Sequence, residues 1–216
     1  MKEPLRGQIG RGLTLLGGLV LLFTLGAILE TKSFQERLNR RLEAFQTPRD
    51  SPLMTRAVAT RREASSTGLI GRIEIERLGV SELVVEGTTS KSLRRGVGHV
   101  KGTAYPGEHG NVGLAGHRDT YFRPLRKIES GDHIVLRTPD GHFVYEVDTS
   151  LIVSPRRGDL MKGGKDDAKL TLVTCYPFYY IGPAPRRFVV IAHEVDRDRK
   201  VADKPDHPRP YVASIR

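Results

Sequence analysis

The chain contains one cysteine, Cys175, near the end of an apolar run at residues 170–177 that reads Leu-Thr-Leu-Val-Thr-Cys-Tyr-Pro. A run of this length that is rich in Leu, Val and Thr and is stopped by a proline predicts a buried strand. Cys175 would then lie at the carboxyl end of the strand, between a packed core and a loop, where functional sites are often built. Such a cysteine is either a nucleophile or a small buried apolar residue, and its own strand does not decide between them.

Two other positions could supply the groups that a cysteine nucleophile needs. A thiol attacks as thiolate, which requires a nearby imidazole or guanidinium, and acyl transfer also requires a donor for the oxyanion. His117 follows the segment Gly113-Leu-Ala-Gly116, and Arg187 opens the apolar run Arg187-Phe-Val-Val-Ile191. Each of these signals is weak by itself. The residue pattern alone therefore indicates a β domain and leaves open whether that domain is a thiol enzyme.

The segments that must position these residues begin at Gly68, where short apolar runs alternate with glycine-rich turns. The sequence Thr138-Pro-Asp-Gly141 predicts a hairpin turn, because Pro fixes φ at its second position and Gly closes it. The helical patterns after residue 46 are short, so we predict an all-β domain over residues 68–195, either a barrel or a sandwich. The predicted strands are residues 69–75, 83–86, 111–117, 133–138, 142–153, 169–175 and 187–195, and the predicted short helices are residues 89–95, 121–128 and 156–160.

The N-terminal part of the chain has a different composition. Residues 13–29 carry no charge and are dominated by Leu, Gly, Val and Phe, which predicts a transmembrane helix at the short end of the usual length range. A cleaved signal peptide is the alternative, although no Ala-x-Ala pattern follows directly. Residues 1–12 would then be cytoplasmic and the β domain would be exported. This arrangement predicts a single-pass protein of the cell membrane with its folded domain on the extracytoplasmic side.

Two segments flank the β domain. Residues 30–67 are predicted to form an amphipathic helix, which starts at the capping box Ser33-Phe-Gln-Glu36, followed by a linker over residues 47–67. Residues 196–216 are polar and contain proline, which predicts a flexible C-terminal tail. We therefore expect the β domain to be held away from the membrane by the first of these segments.

The formal charge of +10 suggests a nucleic-acid-binding protein until it is divided along the chain. The net charges are +2, +3, +3 and +2 for residues 1–29, 30–67, 68–195 and 196–216. This even division predicts no basic patch and no nucleic-acid partner, and Lys and Arg beside a membrane anchor fit anionic lipid or a cell-wall polymer. A single cysteine also excludes an intramolecular disulfide.

Three segments in a fixed order closely resemble the sortase family. They are Leu-Ala-Gly-His117-Arg-Asp-Thr, then Thr-Leu-Val-Thr-Cys175-Tyr-Pro, and then Arg187-Phe-Val-Val, downstream of the apolar segment and linker. The resemblance covers about residues 68–195, and residues 178–185, Phe-Tyr-Tyr-Ile-Gly-Pro-Ala-Pro, resemble class D in particular. Sortases are membrane-anchored cysteine transpeptidases of the bacterial cell surface. The resemblance therefore implies an eight-stranded sortase-like β-barrel with a His-Cys-Arg site.

The resemblance also implies a role for each site residue. Cys175 matches the nucleophile, His117 the general acid and base, and Arg187 the residue that orients the peptide and stabilises the oxyanion. Thr174 matches a supporting position next to the nucleophile, with a role in substrate binding through backbone or hydroxyl contacts. Arg186 is the adjacent alternative to Arg187. We assign Arg187 because it directly precedes the Phe-Val-Val run and because neighbours on a strand point to opposite faces.

The partners implied by the resemblance are proteins with an LPXTG-like C-terminal sorting signal, cleaved between Thr and Gly, and an amine acceptor. The acceptor would be a peptidoglycan precursor or a protein lysine, and membrane lipid would surround residues 13–29. The resemblance implies no cofactor. Some sortases bind calcium through loop carboxylates, but nothing in the sequence assigns Glu108, Asp119 or Asp159 to a metal. The six remaining histidines lack the spacing of a zinc site.

Two other protein classes compete with this assignment. An L,D-transpeptidase is also an exported cysteine enzyme that acts on peptidoglycan, but its Ser-His-Gly-Cys-like setting is absent from this sequence. A non-catalytic, membrane-tethered binding or assembly module would contain Cys175 as a buried and unreactive residue. The reactivity of the thiol in the folded protein distinguishes that module from an enzyme.

Overall fold

The computed structural model describes residues 15–26, 36, 40, 58–164 and 167–195. Eight strands form the main body: β1 (Leu69–Ile75), β2 (Val80–Glu86), β3 (Val97–His99), β4 (Gly110–Ala115), β5 (His133–Thr138), β6 (Gly141–Val153), β7 (Ala168–Tyr176) and β8 (Arg186–Glu194). They close into a barrel in the order β1-β2-β3-β4-β7-β8-β6-β5. The prediction of an eight-stranded barrel with short helices is therefore confirmed.

The order of the strands brings the ends of three of them together. β4 and β7 are parallel neighbours, so both end at the same end of the barrel, and β8 runs antiparallel to β7 and begins there. β2 and β3 are the other parallel pair, and parallel neighbours require a crossover connection. The short helix α3 (Ser90–Arg95) provides it. The end of the barrel at which β4 and β7 finish is the one at which the predicted site residues lie.

β3 is the strand that the sequence pattern did not predict. It spans only Val97–His99, and its central Gly98 interrupts any apolar alternation. The three residues are nevertheless buried, and a Cβ at position 98 would clash with the backbone carbonyl of Gly87. A strand this short depends on close backbone packing, which local sequence does not report.

Alternating side chains of the strands fill the barrel. The hairpin predicted at Thr138-Pro-Asp-Gly141 is present between β5 and β6, with Thr138 paired with Gly141. Three 3-10 helices lie in the connections, at Glu76–Leu78, Arg123–Lys127 and Gly158–Met161. The large side chains that are almost fully buried include Tyr145, Phe122, Leu69, Ile70, Ile73, Ile75, Leu83, Leu114, Leu125, Ile134, Leu136, Leu170 and Leu172.

A helix, α2 (Val58–Thr67), occupies part of the segment predicted as a linker. Its first turn is held by Asp140 of the β5–β6 turn, whose carboxylate accepts from the backbone N of Thr60 at 2.7 Å and from its hydroxyl at 2.5 Å. Arg61 binds Glu108 with two hydrogen bonds, of 2.6 and 2.8 Å. The helix was missed because it has no apolar stripe, and its stabilising contacts come from the barrel.

The N-terminal segment is described in part. Residues 15–26, within the predicted span 13–29, form the helix α1, and all of them are exposed. Across the described residues, no helix combines the length and the apolar character that crossing a membrane requires. Residues 36 and 40 of the predicted amphipathic helix are helical, whereas the rest of that helix, residues 47–57 and the predicted tail at 196–216 lie outside the described residues.

Candidate active site

Cys175 lies one residue before the end of β7. Leu170 and Leu172 of the same strand are fully buried in the barrel, and Thr174 is buried as well. Cys175 itself is half-buried, so its thiol is held by a packed strand without being sealed in the core. Pro177 follows Tyr176 and has no backbone N–H to continue the strand pairing. The predicted position of the cysteine, at the carboxyl end of a buried strand, is the position that the structure shows.

His117 reaches the same end of the barrel through β4. The parallel register pairs Ala115 with Val173, and the backbone N of Gly116 donates to the carbonyl of Val173 at 3.1 Å. His117 lies two residues after Ala115, and Cys175 lies two residues after Val173. The sequence separation of 58 residues is therefore closed by the pairing of two parallel strands that both end at this site.

Thr174 connects the two strands directly before the two candidate catalytic residues. Its side chain is 3% exposed, and its hydroxyl donates to the carbonyl of Gly116 at 2.8 Å. The contact is of the kind that the family resemblance implies for Thr174, a supporting role through backbone or hydroxyl contacts. Contact of Thr174 with a substrate stays a prediction.

Gly116 is enclosed by the connection that follows it. A Cβ at position 116 would lie 2.7 to 3.0 Å from three ring carbons of Phe122, which is fully buried. The backbone N of Phe122 also donates to the carbonyl of His117 at 3.0 Å. Phe122 thus holds the backbone of His117 by a hydrogen bond, and its ring packs against the glycine that precedes the histidine.

Arg187 faces Cys175 across the antiparallel pairing of β7 and β8. Directly opposed residues of an antiparallel pair point to the same face of the sheet, with Cβ atoms about 5 Å apart. Arg186 instead pairs with Tyr176 and is exposed, whereas Arg187 is half-buried. The Nη1 of Arg187 donates to the carbonyls of Ala184 and Arg186, at 3.2 and 3.0 Å. The register therefore favours Arg187 over Arg186 as the arginine of the site.

The structure brings the positions of His117, Cys175 and Arg187 to one end of the barrel, on three adjacent strands or their extensions. A thiol, an imidazole and a guanidinium together can supply a nucleophile, a proton carrier and an oxyanion donor. The catalytic role of each residue stays a prediction that mutagenesis must test. What the fold adds is that strand pairing alone places the three positions together.

The sortase domain model matches residues 73–195 of the chain, which is more than half of it and includes all three positions. The chain belongs to the sortase family. This membership excludes the L,D-transpeptidase alternative, and it explains why the chain carries the histidine, cysteine and arginine segments in the order that the resemblance required.

Several sortases are similar to this chain. Sortase D of Bacillus subtilis (strain 168) is 38% identical over 125 residues, which are 58% of this chain and 63% of that protein. Sortase SrtE1 of Streptomyces coelicolor is 36% identical over 152 residues, or 62% of this chain and 42% of that protein. The chain thus spans less than two thirds of the length of these curated relatives. The solved structure of a Clostridium perfringens Sortase D5 transpeptidase has a TM-score of 0.60 and 30% identity, and the match covers 73% of this chain and 98% of that one.

Arg118, directly after His117, has a structural role that sequence reasoning did not assign to it. Its guanidinium donates to three carbonyls of the β7–β8 connection: those of Pro177 at 3.1 Å, Tyr180 at 2.6 Å and Gly182 at 3.0 Å. The residue after the candidate acid and base of this sortase therefore holds the loop that follows its candidate nucleophile. In the sequence, only the position of Arg118 in the His117 motif could have indicated this role. The backbone carbonyls that it binds are present in every residue and cannot be recognised from residue type.

The loop carboxylates considered for calcium have arginine partners in two cases. The hydrogen bond from Arg157 lowers the pKa of Asp159. Burial acts to raise the pKa of Glu108, but the hydrogen bonds from Arg61 and from the backbone N of Tyr105 outweigh it, and that pKa is lowered. Over the described part of the chain, no cluster of three or more His, Cys, Asp or Glu side chains is arranged to hold a metal ion.

Proposed function

We propose that this sortase is a membrane-anchored cysteine transpeptidase that cleaves an LPXTG-like sorting signal between Thr and Gly and transfers the acyl group to an amine. The observation that carries the proposal is the register of three strands. β8 places Arg187 opposite Cys175, and β4 delivers His117 to the end of β7. Membership of the family supports the reaction class. The acceptor is an amine of a peptidoglycan precursor or of a protein subunit.

In the first half of the reaction, the sulfur of Cys175 attacks the carbonyl carbon of the Thr residue in the signal. Sulfur attacks as thiolate, so the single proton that Cys175 and His117 share must be on the imidazole at that moment. A donor is needed for the negative charge that forms on the carbonyl oxygen. Arg187 is the guanidinium directly opposite Cys175 in the register, and its hydrogen bonds to the carbonyls of Ala184 and Arg186 both come from Nη1.

Collapse of the tetrahedral intermediate breaks the bond between Thr and Gly. His117 gives its proton to the departing Gly amine, which leaves a thioester on Cys175 and a neutral imidazole. The acceptor amine then attacks the thioester while His117 removes its proton, and the thiolate leaves as the new amide forms. A thioester retains the reactivity of the acyl group, so an amine that competes successfully with water yields transpeptidation instead of hydrolysis.

The test is mass spectrometry of the intact chain incubated with a panel of LPXTG-type peptides, with and without an added amine. We expect an adduct on Cys175 whose mass equals the signal up to and including Thr. Addition of the amine should convert that adduct into an amide product. Absence of an adduct from every peptide, in a folded protein, contradicts the proposal.

Two variants and a thiol probe complete this test. Cys175→Ala should form no adduct, and Cys175→Ser, which replaces the thiol by a hydroxyl, a much weaker nucleophile at neutral pH, should form almost none. If no peptide forms an adduct but the thiol reacts rapidly with a small alkylating reagent, the protein is a thiol enzyme with another substrate. Slow alkylation together with no adduct indicates the non-catalytic module.

The proposed membrane anchor is residues 13–29. Its support is the uncharged composition of the segment and the exposed helix over residues 15–26, which includes Leu15, Phe23 and six other large apolar side chains. The test is fractionation of cells that express the full chain, followed by intact-mass measurement. We expect extraction from membranes only by detergent, with residues 1–29 retained. A mature protein that begins after residue 29 indicates a cleaved signal peptide and contradicts the proposal.

A further inference from the structure

Basic side chains gather at the end of the barrel that carries Cys175. We define the site rim as residues 94–95, 116–132, 154–157 and 177–187, the parts of the connecting segments that lie next to the ends of β4, β6 and β7 and next to the starts of β3 and β8. The site rim contains 10 Lys and Arg and three Asp and Glu, for a net charge of +7. The rest of residues 68–195 contains eight basic and 12 acidic residues, for a net charge of −4.

The expectation of no basic patch was therefore wrong for the folded domain. Dividing the charge by sequence segment gave +3 for residues 68–195, but the fold collects positive charge from four separate segments at one end. Seven of the 10 basic side chains are exposed: Arg94, Arg123, Arg126, Lys127, Arg156, Arg157 and Arg186. One of these, Arg157, is paired with Asp159 at 2.8 Å.

An exposed apolar tip stands within this basic surface. It consists of Tyr179, Tyr180 and Ile181 of the β7–β8 connection, which are 73%, 46% and 98% exposed. The tip is held in place by Arg118, which binds the carbonyls of Tyr180 and Gly182 on either side of Ile181. Arg126 lies over the ring of Tyr179, with 5.3 Å between its guanidinium carbon and the ring centroid.

In place of the expectation that residues 30–67 hold the β domain away from the membrane, we propose that the site rim docks on an anionic lipid bilayer, with Ile181 and its two tyrosine neighbours entering the headgroup region. Basic side chains near an anionic leaflet are each attracted to it, and tyrosine is enriched at membrane interfaces. A contiguous exposed apolar patch rimmed by polar residues marks an interaction site. A soluble polyanion would bind the basic residues of the site rim but would not bury the apolar tip. Basic residues and an apolar tip on one surface therefore favour a bilayer.

The test uses the full chain, which contains no tryptophan, so that Ile181→Trp introduces a single fluorescent reporter at the tip. The variant is mixed with vesicles of phosphatidylcholine with or without phosphatidylglycerol, at low salt. We expect a blue shift and protection from acrylamide only with the anionic lipid, both reversed by high salt. Lys101→Trp is the matched reporter, because Lys101 is exposed in the β3–β4 connection at the opposite end of the barrel.

The contribution of charge is tested in the background of the tip reporter. Arg123→Gln with Arg156→Gln removes two rim charges, and each is expected to lower the ratio of docked to undocked protein about fivefold. Lys91→Gln with Lys101→Gln removes the same charge away from the rim and should have little effect. The reporter senses contact at position 181. A vesicle that is bound by another part of the chain therefore does not produce the signal.

Five outcomes would overturn the proposal. Four of them come from the vesicle experiments: a tip reporter that stays accessible to acrylamide with anionic vesicles, an equal response from the reporter at position 101, an equal response to phosphatidylcholine alone, and equal effects of the two double variants. A blue shift produced by soluble polyphosphate without lipid would also overturn it and would assign the rim to a polymer. The result is independent of peptide cleavage, so it stands or falls separately from the proposed activity.

Discussion

The buried hydroxyl of Thr174 donates to the carbonyl of Gly116 at 2.8 Å, so the residue before the cysteine holds the residue before the histidine. The bond joins β7 to the extension of β4 at the last point before the two candidate catalytic side chains. It makes the position of each depend on that of the other. Thr174 therefore supports the site by a hydrogen bond to the backbone that extends the neighbouring strand.

Replacing Thr174 by valine should remove this bond while keeping the shape of the side chain. A buried carbonyl that loses its partner costs about 1–3 kcal/mol, so we expect the free energy of unfolding in urea to fall by that amount. Displacement of His117 should also slow formation of the thioester about tenfold. Thr174→Ser, which retains the hydroxyl, should restore most of the rate. Full activity in Thr174→Val would show that the bond does not position the site.

A methyl group at Gly116 should disturb the site from the opposite side. Its carbon would lie 2.7 Å from the ring of Phe122, and overpacking of this kind costs about 1–3 kcal/mol. We expect Gly116→Ala to lower the thermal midpoint and the rate of thioester formation, and Phe122→Leu in the same chain to recover part of both. Gly158→Ala is the matched control, because nothing lies within 4 Å of a Cβ there. Equal effects of the two alanines would contradict the packing argument.

Much of the barrel could be predicted from the alternation of apolar residues. Seven of its strands were predicted within a few residues, because each has a face that must be buried. The choice between a barrel and a sandwich depended on the family resemblance. The pattern could not report β3, because Val97–His99 is too short and contains glycine, or α2, whose stabilising contacts to Asp140 and Glu108 come from distant parts of the chain.

The same limit applies to the site. Cys175, His117 and Arg187 could be found because each side chain has a recognisable chemistry and each follows or opens an apolar run. Arg118 could not, because its partners are backbone carbonyls 59 to 64 residues away. The basic site rim was hidden for a related reason: its charges come from four segments that only the fold brings to one end.

The assignment of Arg187 over Arg186 can be tested by paired substitutions. Loss of a single oxyanion donor typically lowers the rate constant about 100- to 1,000-fold, so Arg187→Ala should slow thioester formation by about that factor. Arg186→Ala should form the thioester at nearly the rate of the unsubstituted protein, because Arg186 is exposed and pairs with Tyr176. Arg187→Lys should recover only part of the rate, since an ammonium lacks the planar fork. The reverse order of effects would assign the role to Arg186.

The pH dependence of stability should report Asp132. Hydrogen bonds from Arg77 lower the pKa of Asp132, and the backbone N of Glu129 donates to it at 2.8 Å. A lowered folded-state pKa gives stability that is present above the unfolded value, about 3.9, and is lost as the pH falls through the folded value. Asp132→Asn should therefore lower the urea midpoint at pH about 7 and have little effect below both values. Glu129→Gln, which removes a 3.8 Å pair with Arg77 at an exposed carboxylate, should change little at either pH.

Arg118 should act on peptide binding by holding the loop next to Cys175. A lysine keeps the charge but cannot span the carbonyls of Pro177, Tyr180 and Gly182 as a planar guanidinium does. We expect Arg118→Lys to raise KM for the signal peptide about tenfold, with a smaller change in kcat and little change in the thermal midpoint. Arg126→Gln is the matched control, because it removes only an exposed contact with the ring of Tyr179, worth about 0.5–1 kcal/mol. An unchanged KM in Arg118→Lys, or an equal rise in both variants, would show that the three carbonyl bonds do not position the loop for substrate.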